Sequence, residues 1–390
     1  MERHLLMGDN CIQWYDNFVD NVWTFGFHDA PLSVETLREV QFEEPLKMIP
    51  ESHVKTFTEL YPDGYDFQIP WRWILGEKKY TDLLQNVAEN AKLSICALEA
   101  SGYHKTYKKI RKFLTELRRP IVDVDKLAKY IHQNDKGMTV ETSLRSFAPI
   151  ESLAPSIKYD LVGTATGRLT VKKGPKILTL PARYRDIIKA EDGCDIVQID
   201  LVSAEPRTAL YVSGNTAEGD VYNQISKDLG FDFPRDVIKV ASLSALYGAG
   251  LNSLTNLLGS KFKAKRVVDN LKSHFKVNQV TTKLAQEMKE RGYITNLFGR
   301  RLATRTDEIQ KVYSHFMQST TSDAALSMFS DFCKSALDVD SNFKSFYVIH
   351  DALVCQVSKS KRQELQSMSR ILHLDDVGDY ETKMTSVNDN

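Results

Sequence analysis

Apolar positions first recur at helical spacing near residue 80. Leu83, Leu84, Val87, Ala91 and Ile95 fall three and four residues apart, as one buried face of a helix requires. The pattern predicts helix from Thr81 to Leu117. Residues 1–75 are instead rich in aromatic and acidic side chains and interrupted by Pro31, Pro45, Pro50, Pro62 and Pro70. They read as short elements joined by loops, with no legible chemistry. The period changes in the middle of the chain. Cys194-Asp195-Ile196-Val197-Gln198-Ile199 is a β-branched run that predicts a strand stopping on Asp200. Glu205 to Tyr211 predicts a helix. Pro234 marks the start of another, which runs from Arg235 to Tyr247 and is stopped by Gly248 and Gly250. Later, Phe343–Ile349 and Leu353–Val357 are two β-rich runs around a polar break, which predicts a hairpin with His350 and Asp351 at its turn. Helices before and between such strands make an α+β chain. The acidic tail Asp375 to Asn390 reads as frayed surface.

At 390 residues the chain exceeds one ordinary core; at ~150 residues per domain, two or three domains are expected. A 42% hydrophobic and 26% charged composition argues against disorder, collagen-like repeats and disulfide scaffolds. Lys+Arg 51 balances Asp+Glu 51, so net charge points to neither nucleic acid nor membrane, although a basic groove can be offset by acid elsewhere. Cys11, Cys96, Cys194, Cys333 and Cys355 form no C-x-x-C. This fits a reduced, intracellular protein and argues against structural zinc. Met1 to Asp9 lacks the apolar run of a signal peptide, and no stretch approaches the ~20 apolar residues of a membrane helix. A soluble, cytoplasmic protein without a membrane partner is expected.

Candidate chemistry lies in four places. Asp200 ends one apolar strand and Asp351 sits at a turn much later. Carboxylates beside a hydrophobic core need cations or donors, and two that converge can hold hard cations such as Mg²⁺. The plainer explanation is two unrelated loop aspartates. Arg235, Lys239, Leu243 and Tyr247 are spaced by four and share a helix face. That face suits a triphosphate at one end and a stacked base at the other, or is simply an amphipathic helix with two solvated charges. Thr164-Ala165-Thr166-Gly167-Arg168-Leu169-Thr170 combines small residues with a cation, either for close approach to a ligand or as a surface turn. Finally, Tyr103 to Arg119 carries seven Lys and Arg residues against Glu116, interleaved with Tyr103, Tyr107 and Phe113. It is either a solvated face or a basic, aromatic-bearing helix suited to a phosphate backbone.

Taken in order, these segments resemble the polymerase module of the A-family, DNA polymerase I-like, DNA polymerases. Thr164 to Leu169 matches T-A-T-G-R-L. Asp200-Leu201-Val202-Ser203-Ala204-Glu205-Pro206-Arg207 is similar to motif A, usually D-Y-S-Q-I-E-L-R, and keeps the Asp, Glu and Arg. Arg235-x3-Lys239-x7-Tyr247-Gly248 matches motif B. Gly292-Tyr293 with Leu297-Phe298-Gly299-Arg300-Arg301, then Met317-Gln318 with Ala324-Ala325, follow as in the family. Val348-Ile349-His350-Asp351-Ala352-Leu353-Val354 resembles motif C, usually V-H-D-E-L-V. The resemblance covers roughly residues 80 to 360.

The resemblance implies a right-hand fold. Residues 1–75 would be an N-terminal extension, 76–160 a thumb-like helical region, 161–215 the first part of the palm, 216–285 the fingers, and 286–390 the rest of the palm with its antiparallel sheet. It implies template-directed DNA synthesis, with two Mg²⁺ ions (Mn²⁺ as substitute) held by Asp200, Asp351 and the Leu201 carbonyl. Arg235 and Lys239 would hold the dNTP triphosphate, with Lys239 as proton donor to pyrophosphate. Leu243 would face the incoming sugar and Tyr247 the templating position, and Glu205 would exclude a 2′-hydroxyl. Arg168, Gln318 and His350 would contact primer–template DNA. Three residues depart from the family pattern. Ala352 replaces an acid, Leu243 an aromatic and Leu201 a tyrosine. The retained aspartates predict activity with an altered metal preference. Residues 1–75 are fewer than the ~100–150 of a typical domain, so no 3′–5′ proofreading is expected in this chain. That suggests a phage-type enzyme in a bacterial host cytoplasm, with a separate exonuclease or processivity factor as possible partner. A single-subunit RNA polymerase is the nearest rival, opposed by Glu205. A replisome assembly factor on a polymerase fold is the other, favoured by Ala352 and Leu243.

Overall fold

The computed structural model describes strand segments between residues 3 and 41, residues 73, 75–83 and 85–86, and then 102–133, 137–161, 163–247, 250–302 and 309–387. The chain divides into two compact units, Met1–Thr115 and Glu116–Asn390. This division falls within residues 76–160.

In the first unit β1 (Arg3–Gly8), β2 (Cys11–Val19), β3 (Val22–Phe25) and β4 (Val40–Gln41) form a sheet in the order β3-β2-β1-β4. Its hairpin pairs are antiparallel, and β4 joins β1 in parallel. Helix is described at 77–83, with Leu83 buried; Leu84, Val87, Ala91 and Ile95 lie outside the described residues. Within the stretch expected to be helical to Leu117, Gly102 is not helical and has a left-handed φ of 74°. α1 (His104–Thr115) follows it. Tyr103, Tyr107 and Phe113 are core residues, so they offer no stacking surface to a nucleic acid. They share one face with Ile110 at helical spacing, which turns Lys105, Lys108 and Lys112 to solvent.

The second unit opens with β5 (Ile121–Val122), α2 (Val124–His132) and α3 (Met138–Arg145), then β6 (Lys158–Asp160), β7 (Thr170–Lys173) and β8 (Ile188–Lys189). Arg119, from the basic stretch, is used internally: its Nε donates to the Ala154 carbonyl at 2.7 Å. β9 (Cys194–Leu201) follows. A helical run then comprises α4 (Ala204–Val212), α5 (Val221–Asp228), α6 (Arg235–Tyr247), α7 (Leu251–Leu258), α8 (Lys261–His274) and α9 (Val277–Arg291). The short pair β10 (Ile294–Thr295) and β11 (Arg301–Leu302) leads to α10 (Ile309–Val339). β12 (Lys344–Ile349), β13 (Ala352–Ser358), α11 (Arg362–Ser369), β14 (Ile371–Leu374) and β15 (Gly378–Ser386) complete the unit.

The central sheet has five strands in the order β12-β13-β9-β15-β14, all antiparallel. Every residue of β13 is buried, which accounts for its nearly continuous apolar sequence. Expectation and structure part at the C-terminus. The tail from Asp375 is not frayed surface, because Gly378–Ser386 is an inner strand, paired with β9 from Thr382↔Leu201 to Ser386↔Val197. Its residues alternate: Tyr380 is fully buried while Lys383 is exposed. Asp379, Glu381, Lys383 and Thr385 share one face of a two-residue period, opposite Tyr380 and Met384. Apolar residues of α4 to α10 share one core that includes Ile238, Ala241, Leu254, Leu271 and Met317. Among the described residues no helix is long and apolar enough to cross a membrane.

Candidate active site

Asp200 lies on the central strand, opposite Ala352 on one side and Lys383 on the other. The ladder continues one residue past the expected strand end, where the Leu201 N–H donates to the Asp351 carbonyl at 3.0 Å. Two aspartates remote in sequence therefore meet at one end of the sheet. The turn that carries Asp351 is tight: His350 has a φ of 55° and is exposed. The hairpin edge is braced by Tyr159, which donates from its buried hydroxyl to the Val348 carbonyl at 2.8 Å and accepts from the Val348 N–H at 3.0 Å. The bond pair satisfies backbone groups that an edge strand would otherwise leave open.

Burial pushes the Asp200 carboxyl up to about 6, and the neighbouring Asp351 carboxylate adds to it, against the fields of Arg185, Lys239 and Lys383. Asp351 is also raised, chiefly by burial, with His350 and Arg168 opposing. Two carboxylates held half-buried and destabilised in their charged form are a donor set suited to a hard divalent cation. No third His, Cys, Asp or Glu joins them among the described residues, and Ala352 stands where a further acid would be. Two cations of this site had no sequence signal at the motif level. Arg185 donates to the Gln198 side chain at 2.9 Å, and Gln198 lies two residues before Asp200 on the same face of β9. Lys383 is signalled only by the alternation of β15.

The expected helix of residues 235–247 is found with both ends in place. Lys239 is exposed and acts electrostatically on Asp200, which ties this helix face to the carboxylates. Arg235 is already engaged: its Nε donates to Asp220 Oδ2 at 2.6 Å, and its guanidinium carbon lies 4.9 Å from the centroid of the Tyr222 ring. Asp220 and Tyr222 were not singled out in the sequence. Leu243 and Tyr247 are half-buried. Burial raises the Tyr247 phenol, and the adjacent Glu205 carboxylate raises it further. Glu205, in the first turn of α4, is paired with Arg168. The structure thus brings Arg168, Glu205 and Tyr247 into one cluster, with Arg168 also felt at Asp351.

The Thr164–Thr170 segment needs its glycine. Gly167 has a φ of 68°, and a Cβ there would lie 1.6 Å from Arg300 Nη1. Arg300 is buried, paired with Asp323 at 2.9 Å and bonded to the Leu161 carbonyl at 3.1 Å; Asp323 also accepts from Asn296 at 2.7 Å. The first arginine of the Leu297–Arg301 segment therefore anchors the loop that presents Arg168. Gln318 is half-buried on α10 beside the core residue Met317, and no described contact joins it to the cluster.

The model of DNA polymerase family A matches residues 89–375. The chain belongs to DNA polymerase family A. It is 28% identical over 220 residues to a DNA polymerase of Mycobacterium phage D29, covering 50% of this chain and 34% of that protein. It is 27% identical over 167 residues to the thermostable DNA polymerase I of Thermus aquaticus, covering 37% and 20% respectively. The chain thus spans about a third or less of the length of these relatives. The POL domain of Pol1 from M. smegmatis, in complex with DNA primer-template and dNTP, is similar at 18% identity and a TM-score of 0.49, over 63% of this chain and 50% of that one.

Proposed function

We propose that the chain is a template-directed DNA polymerase that extends a primer 3′-hydroxyl with dNTPs. The observation that carries this reading is the meeting of Asp200 and Asp351 at one end of the sheet, within the field of Lys239 on the Arg235–Tyr247 helix. Asp200, Asp351 and the Leu201 carbonyl would hold two Mg²⁺ ions, or Mn²⁺, whose charge lowers the barrier to attack on the α-phosphate. The chain's own groups then position and neutralise. Arg235 and Lys239 bind the triphosphate, and Lys239 gives a proton to the departing pyrophosphate. Tyr247 flanks the templating position and Leu243 the incoming sugar. Glu205, steadied by Arg168, fills the space of a 2′-hydroxyl. Arg168, Gln318 and His350 bear on the primer–template.

In this reading residues 161–215 and 286–390 are palm, 216–285 fingers and 76–160 thumb-like. Residues 1–75 keep no assigned role and supply no proofreading activity. A phage-type enzyme in a host cytoplasm, with a separate exonuclease or processivity factor, is the matching biological setting. Ala352 and Leu243 favour a second reading, an assembly factor that binds primer–template without synthesis. Primer extension on a recessed template with Mg²⁺, comparing dNTPs with rNTPs and wild type with Asp351→Ala, separates these. Template-directed dNTP extension lost in Asp351→Ala is expected. Preferential use of rNTPs would point to an RNA polymerase, and duplex binding without extension in Mg²⁺ or Mn²⁺ would leave the assembly factor.

A further inference from the structure

We infer that Asp220 is a positioning residue that sets the plane of the Arg235 guanidinium for the nucleotide triphosphate; this rests on the polymerase reading above. Arg235 projects from the first turn of α6 with 41% of its side chain exposed. An unrestrained exposed arginine samples many rotamers and must give them up when an anion binds. Here two contacts remove that freedom in advance. Asp220 Oδ2 accepts from Nε at 2.6 Å, and the Tyr222 ring lies against the guanidinium with a 4.9 Å separation from its centroid. Among the described residues, Nη1 and Nη2 donate to no partner. The edge that can grip two phosphate oxygens at once is left open, while the inner edge is held.

Asp220 is itself fixed. Its other oxygen, Oδ1, caps α5 by accepting from the Tyr222 and Asn223 N–H groups at 3.0 and 3.1 Å. Burial would raise this carboxyl, but Arg235 and the two N–H groups hold it below the usual carboxylate range. The loop before it is clamped by Arg207, only 1% exposed, which donates from Nη1 to the Ala217 carbonyl at 3.1 Å and from Nη2 to that of Gly219 at 2.6 Å. Arg207 Nη2 also lies 3.5 Å from Glu381 on β15. A continuous polar chain therefore runs from the strand beside Asp200, through Arg207 and Asp220, to Arg235. It couples the phosphate-binding edge to the sheet that carries the carboxylates.

The test uses Asp220→Ser and Asp220→Asn. Serine keeps an oxygen to cap α5 and is too short to reach Arg235; asparagine keeps the shape and caps α5 through its one carbonyl oxygen, and turns its NH₂, a donor, toward Nε. Single-nucleotide insertion on a primer–template is expected to show a dNTP KM about tenfold higher in Asp220→Ser, with kcat changed less than twofold. Asp220→Asn, which keeps the cap and loses the acceptor, should raise the KM by a similar factor, and Asp220→Ser should add nothing in an Arg235→Ala background. An unchanged or lower KM in Asp220→Ser, at a melting temperature equal to wild type, would overturn the inference. If Asp220→Ser melts lower than wild type, Asp220→Asn decides: a wild-type KM at native melting would also overturn it. Calorimetric binding of inorganic tripolyphosphate gives a readout independent of synthesis. Weaker binding by Asp220→Ser supports the inference even if wild type extends no primer, whereas equal binding by both, or none by wild type, refutes it.

Discussion

Replacing Asp200 by asparagine should abolish synthesis and at the same time stabilise the metal-free protein. The Asp200 carboxyl is pushed from an ordinary 3.8 up to about 6, so between these values the folded state binds more protons than the unfolded chain. Stability therefore falls as pH rises through this window, and the penalty is fully present above about pH 6–7. The gap corresponds to about 3 kcal/mol by linkage. Because the side chain is partly solvated, screening reduces this to about 1–2 kcal/mol. Asparagine keeps the shape and removes the charge, so Asp200→Asn should melt about 2–6 °C higher than wild type at pH 8 in EDTA. By pH 4.5 the gain should shrink to about a third, since most wild-type Asp200 is then protonated in the folded state. Adding Mg²⁺ should raise the melting temperature of wild type and leave the variant nearly unmoved. Scanning calorimetry at the two pH values, with and without Mg²⁺, measures all of this. Equal melting at pH 8 in EDTA, or a gain as large at pH 4.5, would refute the electrostatic account of the site.

Three further outcomes are expected. Glu205→Ala should raise rNTP relative to dNTP incorporation about 10- to 100-fold, measured as the ratio of kcat/KM values. It should cost less than about 1 kcal/mol in denaturant unfolding, because its partner Arg168 is exposed. Gly167→Ala should destabilise the second unit by about 2–4 kcal/mol in the same assay, since the new Cβ displaces Arg300 from buried Asp323 and the backbone there is left-handed. Lys383→Met removes a cation that holds Asp200 down, so the acid limb of the pH–rate profile for primer extension should move to higher pH. A limb that stays in place would show that Lys383 does not act on the titrating group.

Much of this protein is legible in its local sequence. Helix Arg235–Tyr247 is bounded by Pro234 before it and glycine after it, and those signals act within a turn or two of backbone. The hairpin around His350 and Asp351 follows equally from two β-branched runs and a polar break. Asp200, Asp351, Arg235, Lys239 and Glu205 stand at identifiable spacings. Three-dimensional proximity is another matter, because residues that meet across a sheet leave no periodic trace between them. Only the fold sets Lys383 opposite Asp200, by inserting a polar C-terminal strand whose buried side is made by few residues such as Tyr380. Only the fold turns Arg185 toward the same carboxylate, closes Arg300 on Gly167, and braces the hairpin through Tyr159. It also separates the aromatic from the basic residues of the Tyr103–Arg119 stretch: Tyr103, Tyr107 and Phe113 are drawn into a core because burying aromatic surface outweighs displaying it. Sequence determined the elements and the candidate chemistry; the pairing of strands and the packing of helices decided which charges face one another.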